Sequence, residues 1–463
     1  MVAANEVGLK SVVNELSVLL GDRLQRSRVV CEQHGQGEGS SAVMPPDAVA
    51  FPHTNDEVAA IVQACHRHRV AVIPYGAGTS LEGHLLALEG GVCIDLSQMN
   101  SVLEVCPEDM DCRVQAGVTR EQLNTELRHT GLFFPVDPGA NASLGGMTST
   151  RASGTTTVRY GSMQSNVMGL TIVTPQGEII RTGSRARKSA AGYDLTHLYV
   201  GAEGTLGVIT EVQLRLHPIP EQMRAAVCSF ASVGEAVQAV IEVMQCGIGV
   251  ARIELLNALQ MQACIRYSKL DGFEAAPTLF FEFHGSETVV NEQISAVEGV
   301  VEAHGGSGFR WAADMEHRNA LWAARHNAYF AAKAMWPGHE GMATDLCVPI
   351  SALAESIDFA ERKALELKLS CPVVGHVGDG NFHMLIMFDR SDQSQCERAA
   401  TLSKAMVEQA LAVGGTCTGE HGIGVGKKAY LLQEHGNAVE LMRVLKRALD
   451  PDNLMNPGKV FDL

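Results

Sequence analysis

Apolar residues at helical spacing open the chain. MVAANEVGLKSVVNELSVLL, with Glu6 and Glu15 among its Val, Leu and Ala, reads as an amphipathic surface helix and not as a signal peptide. A loop rich in Gly, Ser and His, Cys31 to Met44, leads to Pro45, Pro46 and the short apolar run AVAFP. Thr54 and Glu57 form a capping-box pattern that opens a helix through Arg69, and VAVIP at 70–74 has the composition of a buried strand. Strand-like runs recur at VCIDL (92–96), SVLEV (101–105) and CRVQAG (112–117), and Thr119 with Gln122 caps another helix. LTIVTPQGEIIRTG from Leu170 reads as a hairpin turning at 175–177, and VGAEGTLGVITEVQLRL from Val200 joins a glycine-rich turn to an alternating strand.

Pro218 and Pro220 interrupt this pattern, because proline fixes φ and lacks an N–H, and they mark a domain boundary. Beyond them, helical periodicity at 232–245, 257–267, 288–304, 314–334, 351–369 and 394–413 alternates with strands near 251–255, 278–283, 345–349 and 384–389. Strands crossed by long helices describe an α+β domain with a sheet covered on one face. The chain closes on the turn-rich DPDNLMNPGKVF.

One stretch fits neither period. Val136 to Gly161, VDPGANASLGGMTSTRASGTTTVRYG, is mostly Gly, Ser, Thr and Ala, so its backbone must be the working surface. Small residues let main-chain N–H groups close on an anion. The same composition suits a flexible surface loop, but a place between strand-like segments favours a ligand cradle. YGAGTSLEG, from Tyr75 to Gly83, offers the same chemistry at the end of a strand, a place suited to phosphate.

The 463 residues leave room for two or three domains, and the net charge of −16 disfavours nucleic acid and anionic membranes as main partners. No apolar run approaches the length of a membrane span. The twelve cysteines are scattered, without a CxxC, and Cys106 and Cys112 have the wrong spacing for a zinc knuckle. That usage indicates reduced thiols in a cytoplasm-like compartment and no iron–sulfur cluster.

Sharp nucleotide motifs are missing. No GxGxxG follows a strand with an acidic residue downstream, and HGIGVGKK at His421 matches a Walker loop only superficially. HVGDGNFH, from His376 to His383, is more informative when set beside TGEHG at 418–422. A Gly-Asp-Gly turn lets both imidazoles face one point, and Glu420 could add an oxygen ligand. Two His and one carboxylate suit a divalent transition metal with an open position, leaving His421 to move protons. The plain alternative is ordinary core or surface histidines, of which the chain has 17 in all. Arg325, in ALWAARHNAYFAAKAMW, reads either as an exposed charge or helix ion pair, or as a fork for a substrate carboxylate. Trp322 and Tyr329, at helical spacing, read as core.

PYGAGTSLEG, VDPGANASLGGM, ASGTTTVRYG and VGAEGTLGVITE resemble the FAD-binding domain of the vanillyl-alcohol-oxidase and p-cresol-methylhydroxylase flavoproteins. HVGDGNFH, TGEHGIGVGK and DPDNLMNPGKVF resemble their C-terminal cap, in the branch that holds D-lactate and other D-2-hydroxyacid dehydrogenases. The resemblance runs from about Pro45 onward, with the motifs in the family's order. It implies an α+β architecture: an N-terminal helix and loop (1–44), a two-lobed FAD-binding domain (45–220), a ferredoxin-like cap (221–425) and a helical C-terminal segment (426–463) packing back on the FAD domain.

By motif the resemblance implies that FAD is cradled by Pro74, Tyr75, Gly76, Ala77, Gly78, Thr79, Ser80 and Gly83. The second run would add Ser143, Gly145, Gly146, Ala152, Ser153, Gly154, Thr157, Val158 and Gly161, with Pro138 and Gly139 near the flavin. Glu203, Gly204, Gly207, Val208 and Ile209 would lie toward adenine or ribose, and Asn456 would return the tail to the ring. The first loop reads GAGTS, without the histidine that carries covalent FAD in some relatives, so non-covalent flavin is expected. The resemblance also implies zinc or manganese on His376, His383 and Glu420, His421 as base, Arg325 on the substrate carboxylate and Asn381 on the hydroxyl or carboxylate. The 2-hydroxyglutarate enzymes of this branch carry a lysine just before the position of Asp345; Met342, Ala343 and Thr344 stand there instead, favouring a monocarboxylate.

The expected activity is therefore oxidation of a D-2-hydroxyacid, foremost D-lactate to pyruvate, with electrons passed to a cytochrome or quinone-linked acceptor. A 2-hydroxyglutarate or glycolate enzyme of the same chemistry is the near alternative. Alternatives of another class are a non-catalytic flavin-binding subunit of an electron-transfer assembly and a metal-binding protein without flavin. The expected setting is cytoplasmic, mitochondrial in a eukaryote, with at most peripheral contact at the inner membrane, and a homodimer is left open.

Overall fold

The computed structural model describes every residue except 1, 39–41, 271, 313 and 314. The first residue of the opening helix, the middle of the Cys31 to Met44 loop and the start of the 314–334 helix therefore lie outside the described residues. The chain forms two units: residues 1–153, 161–219 and 420–463 build the first, and residues 154–160 and 220–419 the second. The division at 419/420 falls six residues before the boundary expected at 425/426.

In the first unit, strands Leu24–Gln25, Ala48–Ala50, Val92–Asp95 and Val72–Tyr75 lie in that spatial order, the last three parallel. Helix Asn55–His68 starts where Thr54 Oγ1 accepts the Glu57 N–H at 3.2 Å, and it ends at Arg69 in the left-handed region. Glu57 completes the cap unusually: its carboxylate accepts the His53 N–H at 2.7 Å and pairs with Arg23 at 2.7 and 2.6 Å. The apolar stripe of this helix, Val58, Ile61, Val62 and Cys65, packs with Val12, Leu16 and Leu20 of helix Val2–Leu20 and with Val72, Val92 and Ile94 of the sheet. Each large side chain so buried contributes roughly 1.5–3 kcal/mol.

A second, antiparallel sheet orders Val102–Cys106, Asp111–Gln115, Val208–Arg215, Val167–Val173 and Ile179–Gly183. The hairpin from Leu170 forms as the pattern predicts. Val208–Arg215 alternates in sequence yet is buried through Leu214, because as the central strand it is covered on both faces. Its buried Glu211 is satisfied by Asn55 Nδ2 and Thr171 Oγ1, each at 2.8 Å, and by Arg113 at 3.3 Å.

The second unit is built on one antiparallel sheet ordered Ser307–Trp311, Gln222–Ser229, Thr278–Gly285, Val250–Leu256, Val373–His376, Asn381–Phe388 and Glu340–Ala343. Leu346–Cys347 also pairs with Asn381–Phe388. The expected 314–334 helix is two helices, Met315–His326 and Ala328–Met335, separated at Asn327. The break corrects the expectation for Tyr329: Trp322 is buried, whereas Tyr329, beyond the break, is 42% exposed.

Candidate functional site

In the second unit, Val373–His376 and Asn381–Phe388 form a hairpin closed by Val377 to Gly380. Gly380 has φ +79°, and a Cβ there would lie 2.1 Å from the Val348 carbonyl oxygen, so only glycine fits. Val374 faces His383 across the ladder, and Val374 and His376 point to the same face, so both imidazoles project to one side. Their ring centroids are 5.3 Å apart at 82°, and ligating nitrogens of the two lie within 4.8 Å.

Each ring is fixed through Nδ1. His383 Nδ1 donates to the Thr344 carbonyl at 2.9 Å, and His376 Nδ1 to Glu254 Oε1 at 2.7 Å. With the proton on Nδ1, each Nε2 keeps its lone pair, which is the donor arrangement a divalent transition metal takes. Glu254 is 0% exposed on strand Val250–Leu256, and its Oε2 accepts from Arg325 Nε at 2.9 Å and Nη2 at 2.6 Å. Burial alone would raise the Glu254 carboxyl, but His376 and Arg325 together hold it below its ordinary range. Arg325 is 8% exposed, so the reading of it as a surface charge is corrected: it is a buried cation bonded across elements.

Asn381 donates through Nδ2 to Asp345 Oδ1 and to the Leu346 carbonyl, each at 2.9 Å. Its buried Oδ1 has no hydrogen-bond partner among the described residues. Thr418 Oγ1 donates to Asp345 Oδ2 at 2.9 Å, and a Cβ on Gly419 would lie 2.1 Å from Asn381 Nδ2. The chain is thus held against Asp345 and Asn381 up to the residue before Glu420. Gly154, Thr157 and Val158 also belong to this unit, where the Gly154 N–H donates to Thr157 Oγ1 at 2.9 Å.

The remaining candidates lie in the first unit. Pro74 and Tyr75 end a strand, and beyond it the main-chain N–H groups of Gly76, Ala77, Gly78, Thr79 and Ser80 have no protein acceptor among the described residues. Ser80 Oγ is buried without a partner among them. Five successive small residues with open donors and one orphaned hydroxyl fit a phosphate-bearing cofactor. Ser143 caps helix Leu144–Thr150, which carries Gly145 and Gly146, by accepting the Gly146 N–H at 3.4 Å. Ala152 packs in the core; within the run Pro138 is half-buried and Gly139 exposed, and Gly161 closes it with φ +76°.

Other first-unit candidates turn out to brace the tail. Glu203 is buried and accepts the Ile423 and Gly424 N–H groups at 2.7 Å each, with His84 at 3.1 Å. Burial would raise its carboxyl, yet His84 and the two N–H groups hold it down. Asn456 Nδ2 donates to the Glu203 and His84 carbonyls at 2.8 and 3.3 Å. Gly204 and Gly207 frame the entry to strand Val208–Arg215, where Val208 and Ile209 are buried. Ser153 Oγ donates to Glu420 Oε2 at 2.8 Å, and Glu82 Oε1 lies 3.9 Å from His421 Nδ1 and 3.1 Å from Lys427 Nζ.

The pattern reading did not single out Glu254, Asp345, Glu82 or His84. Glu254 had a signal, since an acidic residue inside ARIELL is a charge placed in an apolar strand. Glu82 and His84 flank Gly83 with no periodicity to mark them.

Residues 219–460 match the family described as FAD linked oxidases, C-terminal domain, and residues 46–183 match the family described as FAD binding domain. The chain is 48% identical over 466 positions to a probable mitochondrial D-lactate dehydrogenase of Danio rerio, covering 100% of the chain and 94% of that protein. It is 47% identical over 455 positions to the mitochondrial D-lactate dehydrogenase [cytochrome] of Arabidopsis thaliana, covering 98% and 80%. Among solved structures, p-cresol methylhydroxylase with substrate bound shares the fold: TM-score 0.81 at 17% identity, covering 98% of this chain and 97% of that one.

Proposed function

We propose, on the premise that this chain belongs to the FAD-linked oxidases, that it oxidises D-lactate to pyruvate and passes the electrons to a cytochrome. The observation that carries the reading is the pair of buried imidazoles, His376 and His383, each held through Nδ1 beside a buried arginine. Hydride transfer to a flavin needs no such pair, whereas a cation held by two imidazoles would acidify the hydroxyl that must lose its proton. The choice of D-lactate is supported by relatives of that name at nearly half identity across almost the whole chain.

Non-covalent FAD is assigned to the loop Gly76–Ser80 with Pro74, Tyr75 and Gly83, to the 138–161 run, and to Glu203, Gly204 and Gly207–Ile209, with Asn456 fixing the tail. Zinc or manganese is assigned to His376 and His383 through Nε2 and to Glu420, the residue peptide-bonded to Gly419. When bound, the flavin supplies a two-electron acceptor and the cation lowers the pKa of the 2-hydroxyl.

The chain's own residues do the rest. Arg325, held in place by Glu254, offers its remaining N–H donors to the substrate carboxylate. Asn381 Oδ1 can accept the hydroxyl's single hydrogen as the substrate enters and so orient it before that proton moves. His421 accepts the hydroxyl proton while the C2 hydrogen leaves with its electron pair. Met342, Ala343 and Thr344 supply no cation for a second carboxylate, which disfavours 2-hydroxyglutarate. The mitochondrial setting of the relatives is extended to this chain; among the described residues no helix is long and apolar enough to cross a membrane.

Anaerobic mixing of the purified holoprotein with D-lactate, L-lactate, D-2-hydroxyglutarate and glycolate, followed at the visible flavin band, tests the proposal. D-lactate is expected to bleach the flavin fastest. Preference for the dicarboxylate would overturn the reading of residues 342–344, and no bleaching by any acid would favour a non-catalytic flavin subunit.

A further inference from the structure

We propose that Glu254 is a shared positioning residue, one buried carboxylate that sets both the His376 imidazole and the Arg325 guanidinium. The inference rests on the reading of His376 as a metal ligand and Arg325 as the carboxylate anchor. Its physical basis is the division of labour between the two oxygens: Oε1 takes His376 Nδ1 at 2.7 Å, and Oε2 takes Arg325 Nε at 2.9 Å and Nη2 at 2.6 Å. Neither oxygen is left unused. Strand Val250–Leu256 is paired on both sides, with Thr278–Gly285 and with Val373–His376, so the carboxylate stands on rigid backbone beside the strand that carries His376.

A carboxylate removed from water is costly, and an apolar residue would pack there at no such cost. What the carboxylate adds is orientation. By accepting the Nδ1 proton it fixes the His376 tautomer, with the ring's lone pair on Nε2, and it raises the basicity of that nitrogen. By accepting two donors of one fork it leaves the rest of the guanidinium facing a single direction. Metal affinity and substrate-anion affinity are therefore set by the same side chain.

Glu282 provides an internal control. It is equally buried, on the adjacent strand Thr278–Gly285, and engages His284 at 2.8 Å and Arg318 at 2.9 and 2.7 Å, none of them in the proposed metal or substrate set.

The test compares holoprotein of the wild type, Glu254→Gln, Glu254→Asp and Glu282→Gln. Zn2+ and Mn2+ affinities are read by competition with a chromogenic chelator, flavin content by absorbance, and KM and kcat with D-lactate. An amide can accept through one atom only, so Glu254→Gln must forfeit one partner or share its oxygen. We expect it to bind metal roughly 10- to 100-fold more weakly, with flavin content retained and KM raised about tenfold or more. Glu254→Asp, which keeps the charge, should recover part of both, and Glu282→Gln should keep wild-type metal affinity. Wild-type metal affinity and KM in Glu254→Gln would overturn the proposal, as would equal metal loss in Glu282→Gln. If Glu254→Gln fails to fold, Glu254→Asp decides: metal affinity and KM both unchanged from wild type overturn the proposal. Wild type that binds neither metal would instead refute the underlying metal assignment, and it shows this without any variant.

Discussion

At Gly76 a single methyl group is enough to test the proposed cofactor loop. A Cβ there would lie 2.3 Å from the Ser143 hydroxyl oxygen, which caps helix Leu144–Thr150 by accepting the Gly146 N–H. That hydroxyl can move away only by rotating about χ1, which takes it off its cap. Losing an N-cap costs about 1 kcal/mol, and the shift also displaces the open N–H groups that follow Gly76. Gly76→Ala is therefore expected to lower both the urea midpoint and the flavin bound per chain, the second by more than the loss of stability accounts for. Full flavin occupancy in a destabilised variant would separate this loop from cofactor binding.

Elements set by local chemistry were legible in the sequence, and those set by partners far along the chain were not. Thr54 and Thr119 each marked a helix start because an N-cap is read within four residues, and the Leu170 hairpin announced its own turn. The His376 and His383 pair was legible for the same reason, since the four-residue turn Val377 to Gly380 brings them to one face. Glu254 was not, because its partners stand 71 and 122 residues away. Nor was the tail: Glu203 holds Ile423 and Gly424 from across more than two hundred residues. The break at Asn327 escaped the pattern because neither proline nor glycine marks it.

The tail also carries a pH dependence. Lys459 Nζ is buried and donates to the Leu86 carbonyl at 2.7 Å, and burial pushes the ammonium down to about 8. The unfolded chain keeps the ordinary lysine value of about 10.4, so between those limits it binds more protons than the folded chain, and stability rises with pH. Below about 8 the buried charge is a constant penalty. Relative to Lys459→Met, the wild type is expected to gain roughly 1–2 kcal/mol between pH 8 and 10, read from urea midpoints. A difference that stays flat, or falls, across that window would mean that the lysine is not buried as a charge.

At the scale of the whole molecule the dominant quantity is charge: 52 acidic against 36 basic side chains, a net −16. A field of that sign repels anionic lipid and attracts a basic protein, raising encounter rates with it by about ten- to a thousandfold at low salt. The Debye length falls from about 30 Å at 0.01 M salt to about 3 Å at 1 M, so the attraction should vanish across that range. If the acceptor is a basic cytochrome, kcat/KM for the cytochrome should fall about tenfold or more as salt rises, while turnover with a small uncharged dye stays level. The dye matters because it shares the reductive half of the reaction and differs only in how the electrons leave. Equal salt sensitivity with both acceptors would locate the effect in substrate binding, where the lactate anion is proposed to meet Arg325. A cytochrome reaction indifferent to salt would point to an acceptor that docks by apolar contact, as a quinone-linked carrier does.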